Sequence, residues 1–145
     1  ISVIAPCTAN EAGEAITAMI QEGGVAYLRL DKTVAQDNDF VSSFAIGKAR
    51  RYKEGSAITL ISTGGILDDV NIAAVELEKL GIDARVLGMH SIKPIDIDEI
   101  LDAAKNTGGI VTIEEHNKDG GLGSAVSEVC MDFGVMPKKF LNWFG

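Results

Sequence analysis

Ile110-Val-Thr-Ile-Glu-Glu-His-Asn-Lys-Asp-Gly-Gly-Leu-Gly-Ser-Ala-Val-Ser-Glu-Val129 is the stretch whose reading decides the fold. An apolar run reads as a buried β-strand and gives way to a polar turn with Glu114, Glu115 and His116. Gly120, Gly121 and Gly123 follow. Leu122, Ala125, Val126, Val129, Cys130 and Phe133 then recur at the 3.6-residue spacing of one buried helical face. A strand that enters a helix through glycines leaves backbone N–H groups at a positive helix end. Parallel α/β domains place ligands and partners there.

The same alternation runs outward in both directions. Toward the N-terminus, Ala57–Ser62 is a continuous apolar strand of the kind buried on both faces. Thr63-Gly64-Gly65 turns it into a helix whose apolar stripe begins at Ile66 and whose first turn carries Asp68 and Asp69. Ala84–Met89 is the next strand, and Asp96 with Glu99 forms a capping box for a further helix. Gly47–Lys53 reads as an edge strand guarded by its cations, or alternatively as an anion patch. Ahead of it, Val3–Ala5, a helix capped by Thr8 and Glu11, and Val25–Leu30 make one βαβ unit. Strands separated by helices of this length pair in parallel. The expectation is a three-layer α/β domain over 47–145, with a mostly parallel sheet and helices on both faces. One βαβ unit at 1–30 precedes it, joined through a linker at 31–46. The tail Phe140–Phe144 is too apolar for a solvated terminus and should pack on the domain, on a missing remainder or on a second subunit.

Composition narrows the function classes. A net charge of −8 over 145 residues argues against nucleic acid as a partner. No apolar run reaches the ~18 residues of a bilayer span, so no membrane partner is expected. Two isolated cysteines form no disulfide framework, which fits a cytoplasmic protein. The chain opens on Ile1 inside a strand-like run and reads as a fragment of a longer polypeptide.

Several catalytic patterns are absent: GxGxxG after a strand, GxxxxGK[ST], GxSxG and HExxH. The histidines and cysteines lack metal-ligand spacing, so no metal site is expected. The turns Thr63-Gly64-Gly65 and Gly120-Gly121-Leu-Gly123-Ser124 offer amides to an anion, or serve only as tight strand-to-helix turns. His116 follows two carboxylates, and His90 sits in a strand-to-helix loop. Each is a candidate acid–base group, or a hydrogen-bonding residue across a loop or subunit contact. Arg29, alternating with Tyr27 at the carboxyl end of a strand, is placed to hold a phosphate or carboxylate bidentately, or to form a buried ion pair.

Motifs along nearly the whole chain resemble the C-terminal part of transketolase-family enzymes. Ala5-Pro6, the helix from Thr8 and Tyr27-Leu-Arg-Leu30 are similar to the closing unit of that family's pyrimidine-binding domain. Gly47-Lys48-Ala49, Thr59–Gly65, Met89–Asp96 and, most specifically, Glu114–Ala125 are similar to successive signatures of its C-terminal domain. The match is nearest to transketolases split into two subunits. Relatives are 1-deoxyxylulose-5-phosphate synthase and the β subunit of 2-oxo-acid dehydrogenases.

The resemblance implies ketol transfer between sugar phosphates, with thiamine diphosphate and Mg²⁺ in the full enzyme. It implies a substrate-phosphate role for Arg29. The family's Gly-Asp-Gly…Asn pattern for Mg²⁺, its catalytic glutamate and its usual Asp-x-Phe ending are all absent from this chain. No catalytic residue and no bound cofactor are therefore expected here. The expected partners are a second copy, forming a homodimer, and the N-terminal diphosphate-binding part or subunit. The competing readings are an assembly module and an anion- or nucleotide-binding regulatory domain.

Overall fold

The computed structural model describes residues 1–32, 35–37 and 42–145. The remaining residues of the expected linker lie outside the described residues.

Two sheets organise the chain. The larger has five strands in the order β3-β5-β4-β7-β8: β3 (Arg50–Lys53), β4 (Ile58–Ser62), β5 (Ala84–Gly88), β7 (Ile110–Glu114) and β8 (Phe140–Phe144). β5, β4, β7 and β8 are parallel and β3 is an antiparallel edge. The smaller sheet, in the order β2-β1-β6, sets β1 (Ser2–Ile4) parallel to β2 (Ala26–Leu28) and antiparallel to β6 (Ser91–Lys93).

Strand alternation sends side chains to two separate cores. Ile61, Leu87 and Ile110 pack with α3 (Ile97–Asn106) and α4 (Leu122–Asp132) through Ile100, Ala103, Val126 and Cys130. Leu60, Val86 and Ala84 point the other way, onto Leu67, Val70 and Ala74 of α2 (Leu67–Lys79). The arrangement is the expected three-layer α/β architecture with helices on both faces. Phe133, read as part of the buried face of α4, instead caps that helix and is more than half exposed.

Helix ends follow the local chemistry. Thr8 Oγ1 accepts the Glu11 N–H at the start of α1 (Ala9–Glu22), and Asp96 accepts the Glu99 N–H at the start of α3. The Glu11 carboxylate does not close the reciprocal half of the box. It takes the Cys7 N–H at 2.8 Å instead and is fully buried.

Two elements depart from the sequence reading. Ser91–Lys93 lies in what reads as a loop, yet it is β6 and ties the N-terminal unit to the larger domain. Its three residues are too few to carry a period. The apolar tail is β8, paired along β7 from Ile110–Phe140 to Glu114–Phe144. It is an outer strand, with Leu141, Trp143 and Phe144 about half exposed.

A candidate anion cleft between the two sheets

A cleft of about 290 Å³ opens where the carboxyl ends of β1 and β2 meet those of β4 and β7. Tyr27 and Arg29 enter it from one side, two residues apart and hence on one face of the strand direction. Thr63, Glu114, His116 and Gly120 enter from the other. The fold thus gathers Arg29, Thr63, His116, Gly120 and Gly121 into one place. Gly64 and Gly65 lie behind Arg29, while Gly123 and Ser124 belong to the first turn of α4.

Each glycine turn already holds an anion, and in each case it is the chain's own. The Glu114 carboxylate accepts the N–H groups of Leu122 (2.7 Å) and Gly123 (2.9 Å) and is almost wholly buried. A carboxylate at a helix N-terminus satisfies two unpaired donors and the positive helix end together. Gly121 is required there because a Cβ would collide with that carboxylate. Ser124 Oγ accepts the Gly120 N–H and donates to the Lys118 carbonyl, closing the loop on itself.

At the other turn, Asp31 accepts the Gly65 N–H at 2.9 Å, and the Gly64 N–H donates to the Ala5 carbonyl at 3.3 Å. Gly64 has φ +70°, and a Cβ there would meet the Asp31 carboxylate. These turns are thereby strand-to-helix junctions with internal carboxylate caps.

Among the described residues that line the cleft, Arg29 supplies a guanidinium. Its Nη2 donates to the Glu115 carbonyl at 3.2 Å and lies 2.8 Å from Asp31 Oδ1, with a third of the side chain exposed. The guanidinium has five donors, so these contacts orient it and leave N–H groups for a ligand. His116 is an exposed residue on the opposite wall. Among the described residues, no group of three or more His, Cys, Asp or Glu side chains is placed to hold a metal ion.

His90 lies outside the cleft. It is buried in a second polar cluster, with its Nε2 3.1 Å from the Ala45 carbonyl and its ring stacked on Phe44 at 4.2 Å. The cluster centres on Glu11, which accepts from Tyr52 Oη at 2.8 Å and from Arg50 at 3.4 Å. Arg50 also pairs with Glu14 at 3.0 Å. The guarded edge strand therefore faces two ways. Arg51 and Lys53 are matched by Glu99 and Asp83 at the surface, whereas Arg50 turns inward.

Burial, then the neighbouring Glu11, raises the Cys7 thiol and the Tyr52 phenol well above their ordinary values, so both stay protonated. Burial also raises the Cys130 thiol. Both cysteines are buried and unpaired. Neither has the character of a nucleophile.

The family described as "Transketolase, C-terminal domain" matches residues 47–145. The chain belongs to that family. An apulose-4-phosphate transketolase subunit of Phocaeicola vulgatus is 35% identical over 132 residues, which is 88% of this chain and 42% of the relative. 1-Deoxy-D-xylulose-5-phosphate synthase of Desulfitobacterium hafniense is 36% identical over 135 residues, 91% of this chain and 21% of the relative. A solved structure described as "Split gene transketolase, inactive beta4 tetramer" superposes with a TM-score of 0.83 at 32% identity. It covers 99% of this chain and 48% of that one. This transketolase-family chain thus spans less than half the length of each of these relatives.

Proposed function

We propose that this chain supplies the C-terminal domain of a two-part transketolase-type transferase, and that Arg29 receives the phosphate of a sugar-phosphate substrate at its cleft. The observation that carries this reading is the placement of Arg29. It is a part-exposed guanidinium, held by Asp31 and the Glu115 carbonyl, at the ligand end of both sheets. A bidentate cation with spare donors suits a phosphate at that position.

Thiamine diphosphate and Mg²⁺ belong, on this proposal, to the N-terminal diphosphate-binding part or subunit. The ketol-transfer chemistry that the cofactor supplies occurs where the two parts meet. A cytoplasmic location and a role in carbohydrate metabolism form part of the same proposal. No described helix is long and apolar enough to cross a membrane.

Reconstitution tests it. Calorimetry with millimolar thiamine diphosphate and Mg²⁺ should give no saturable binding to this chain alone. Ketol transfer should appear only when the rest of the enzyme is added, with both the diphosphate-binding part and the segment that carries the family's catalytic glutamate. Saturable binding by the chain alone would contradict the division of roles.

A second reading, self-association, is favoured by the half-exposed apolar side chains of the outer strand β8. The similar solved chain is itself described as a tetramer of β subunits. Under it, the homodimer forms at micromolar concentration, and sedimentation across a concentration series decides. A regulatory anion- or nucleotide-binding role has less support, because both glycine turns already hold Glu114 and Asp31.

A further inference from the structure

We propose that the junction between the β1–α1–β2 unit and the five-stranded domain is an acid-sensitive latch whose proton acceptor is His90 Nδ1. An imidazole nitrogen at this junction carries the argument. His90 is 1% exposed, and its Nδ1 has no hydrogen-bond partner among the described residues. With Nε2–H donating to the Ala45 carbonyl at 3.1 Å, Nδ1 carries a lone pair, directed toward Glu11 Oε1 at 3.7 Å. That oxygen already accepts from Tyr52 Oη at 2.8 Å and from Arg50 at 3.4 Å, and 3.7 Å is beyond hydrogen-bond reach, so an Nδ1–H in this sealed site would find no free acceptor.

Among the described residues, the groups around that imidazole and its Glu11 neighbour come from several elements. Glu11 and Glu14 lie on α1, Arg50 and Tyr52 on β3, Cys7 at the β1–α1 connection, and Phe44 stacks on the ring. Cys7 and Tyr52 stay neutral. Glu11 and Glu14 already pair with Arg50. A second buried cation must therefore share carboxylates that Arg50 occupies. Burial is the dominant influence and holds the His90 imidazole below its ordinary value of 6.5, against the opposing pull of Glu11.

The cluster bridges the two parts of the molecule. Its carboxylate sits on α1, its arginine and tyrosine on β3, and the His90 carbonyl accepts the Ala5 N–H at 2.8 Å beside the β1–β6 pairing. A proton reaches Nδ1 when this junction opens. Since the closed form disfavours the imidazolium, acid traps the open form. By linkage, the latch is fully closed above the ordinary imidazole value and weakens as pH falls below it. One linked proton sets a ceiling of about tenfold in the opening equilibrium per pH unit.

Hydrogen exchange of the full-length, assembled protein between about pH 7.5 and about pH 5.5 tests the latch, with rates corrected for intrinsic pH dependence. The amides of Ala5 and Cys7 should lose protection severalfold in acid, while those along β4 and β7 keep theirs. His90→Gln should abolish the pH dependence at Ala5 and Cys7. Should that variant fail to fold, imidazole C2–H exchange in the unaltered protein still reads His90 directly, and it should remain neutral below pH 6.5. Unchanged protection at Ala5 and Cys7, equal loss along β4 and β7, or a His90 that protonates at or above its ordinary value would each overturn the proposal.

Discussion

Among the places that join the β1–α1–β2 unit to the five-stranded sheet, the cleft and the buried junction hold charge differently. At the cleft, Arg29 and Asp31 form an ion pair with Arg29 a third exposed, within reach of solvent and ligand. At the junction, Glu11, Arg50 and His90 are nearly or wholly sealed from water. Desolvated charges are costly to leave unpaired, whereas solvated ones are not. Substitutions at the junction should therefore register as lost stability, and those at the cleft as altered ligand handling.

The largest expected effect is at the junction. Glu11→Ala strips a carboxylate from the Cys7 amide, the Tyr52 hydroxyl and the Arg50 guanidinium together. Breaking a buried pair in this way costs about 3–5 kcal/mol, which urea denaturation would register. A loss under about 1 kcal/mol, the range of surface pairs, would remove the contrast with the cleft.

Arg29→Ala should leave stability within about 0.5 kcal/mol, as for surface substitutions. In the assembled enzyme it should raise KM for phosphorylated acceptors about ten- to a hundredfold, as loss of a charge-assisted contact worth roughly 1.5–3 kcal/mol requires.

Asp31→Asn is subtler. The amide oxygen keeps the Gly65 N–H contact, but the charge beside Arg29 disappears. Phosphate affinity should rise by a factor of about two to five, the scale of one exposed pair. Titration with inorganic phosphate measures it, and weaker binding would show that the orienting contact of Asp31 outweighs its competition with phosphate for Arg29.

A further pair of changes, the weaker of them the smallest effect expected, sharpens the second reading. Trp143 is half exposed on the outer strand, and aromatic residues anchor interfaces. Trp143→Ala should weaken any self-association by about tenfold and Lys139→Ala by less than about twofold. Equal effects in sedimentation would place the contact elsewhere.

The alternation of strands and helices was legible because apolar spacing and caps are local signals. So was the pairing of Tyr27 with Arg29 on one side of the cleft, since strand parity is read two residues apart. The junction was not legible. Glu11 looks like half of a capping box and Arg50 like an edge-strand guard, and only a contact 39 residues apart turns both inward. The glycine turns were legible as strand-to-helix junctions, with amides offered to an anion as one of two readings. Their filling by Asp31 and Glu114 was not, because Asp31 lies 34 residues from Gly65 and the use of Glu114 depends on how the loop folds back.

The most direct measurement of the central claim is the ratio of kcat/KM for a phosphorylated acceptor to that for its unphosphorylated counterpart. It is taken in the reconstituted enzyme with and without Arg29→Ala. The cleft geometry predicts that this ratio falls about tenfold or more, with the unphosphorylated acceptor little affected. An equal loss for both acceptors would make Arg29 a structural residue and contradict the placement of the phosphate in this cleft.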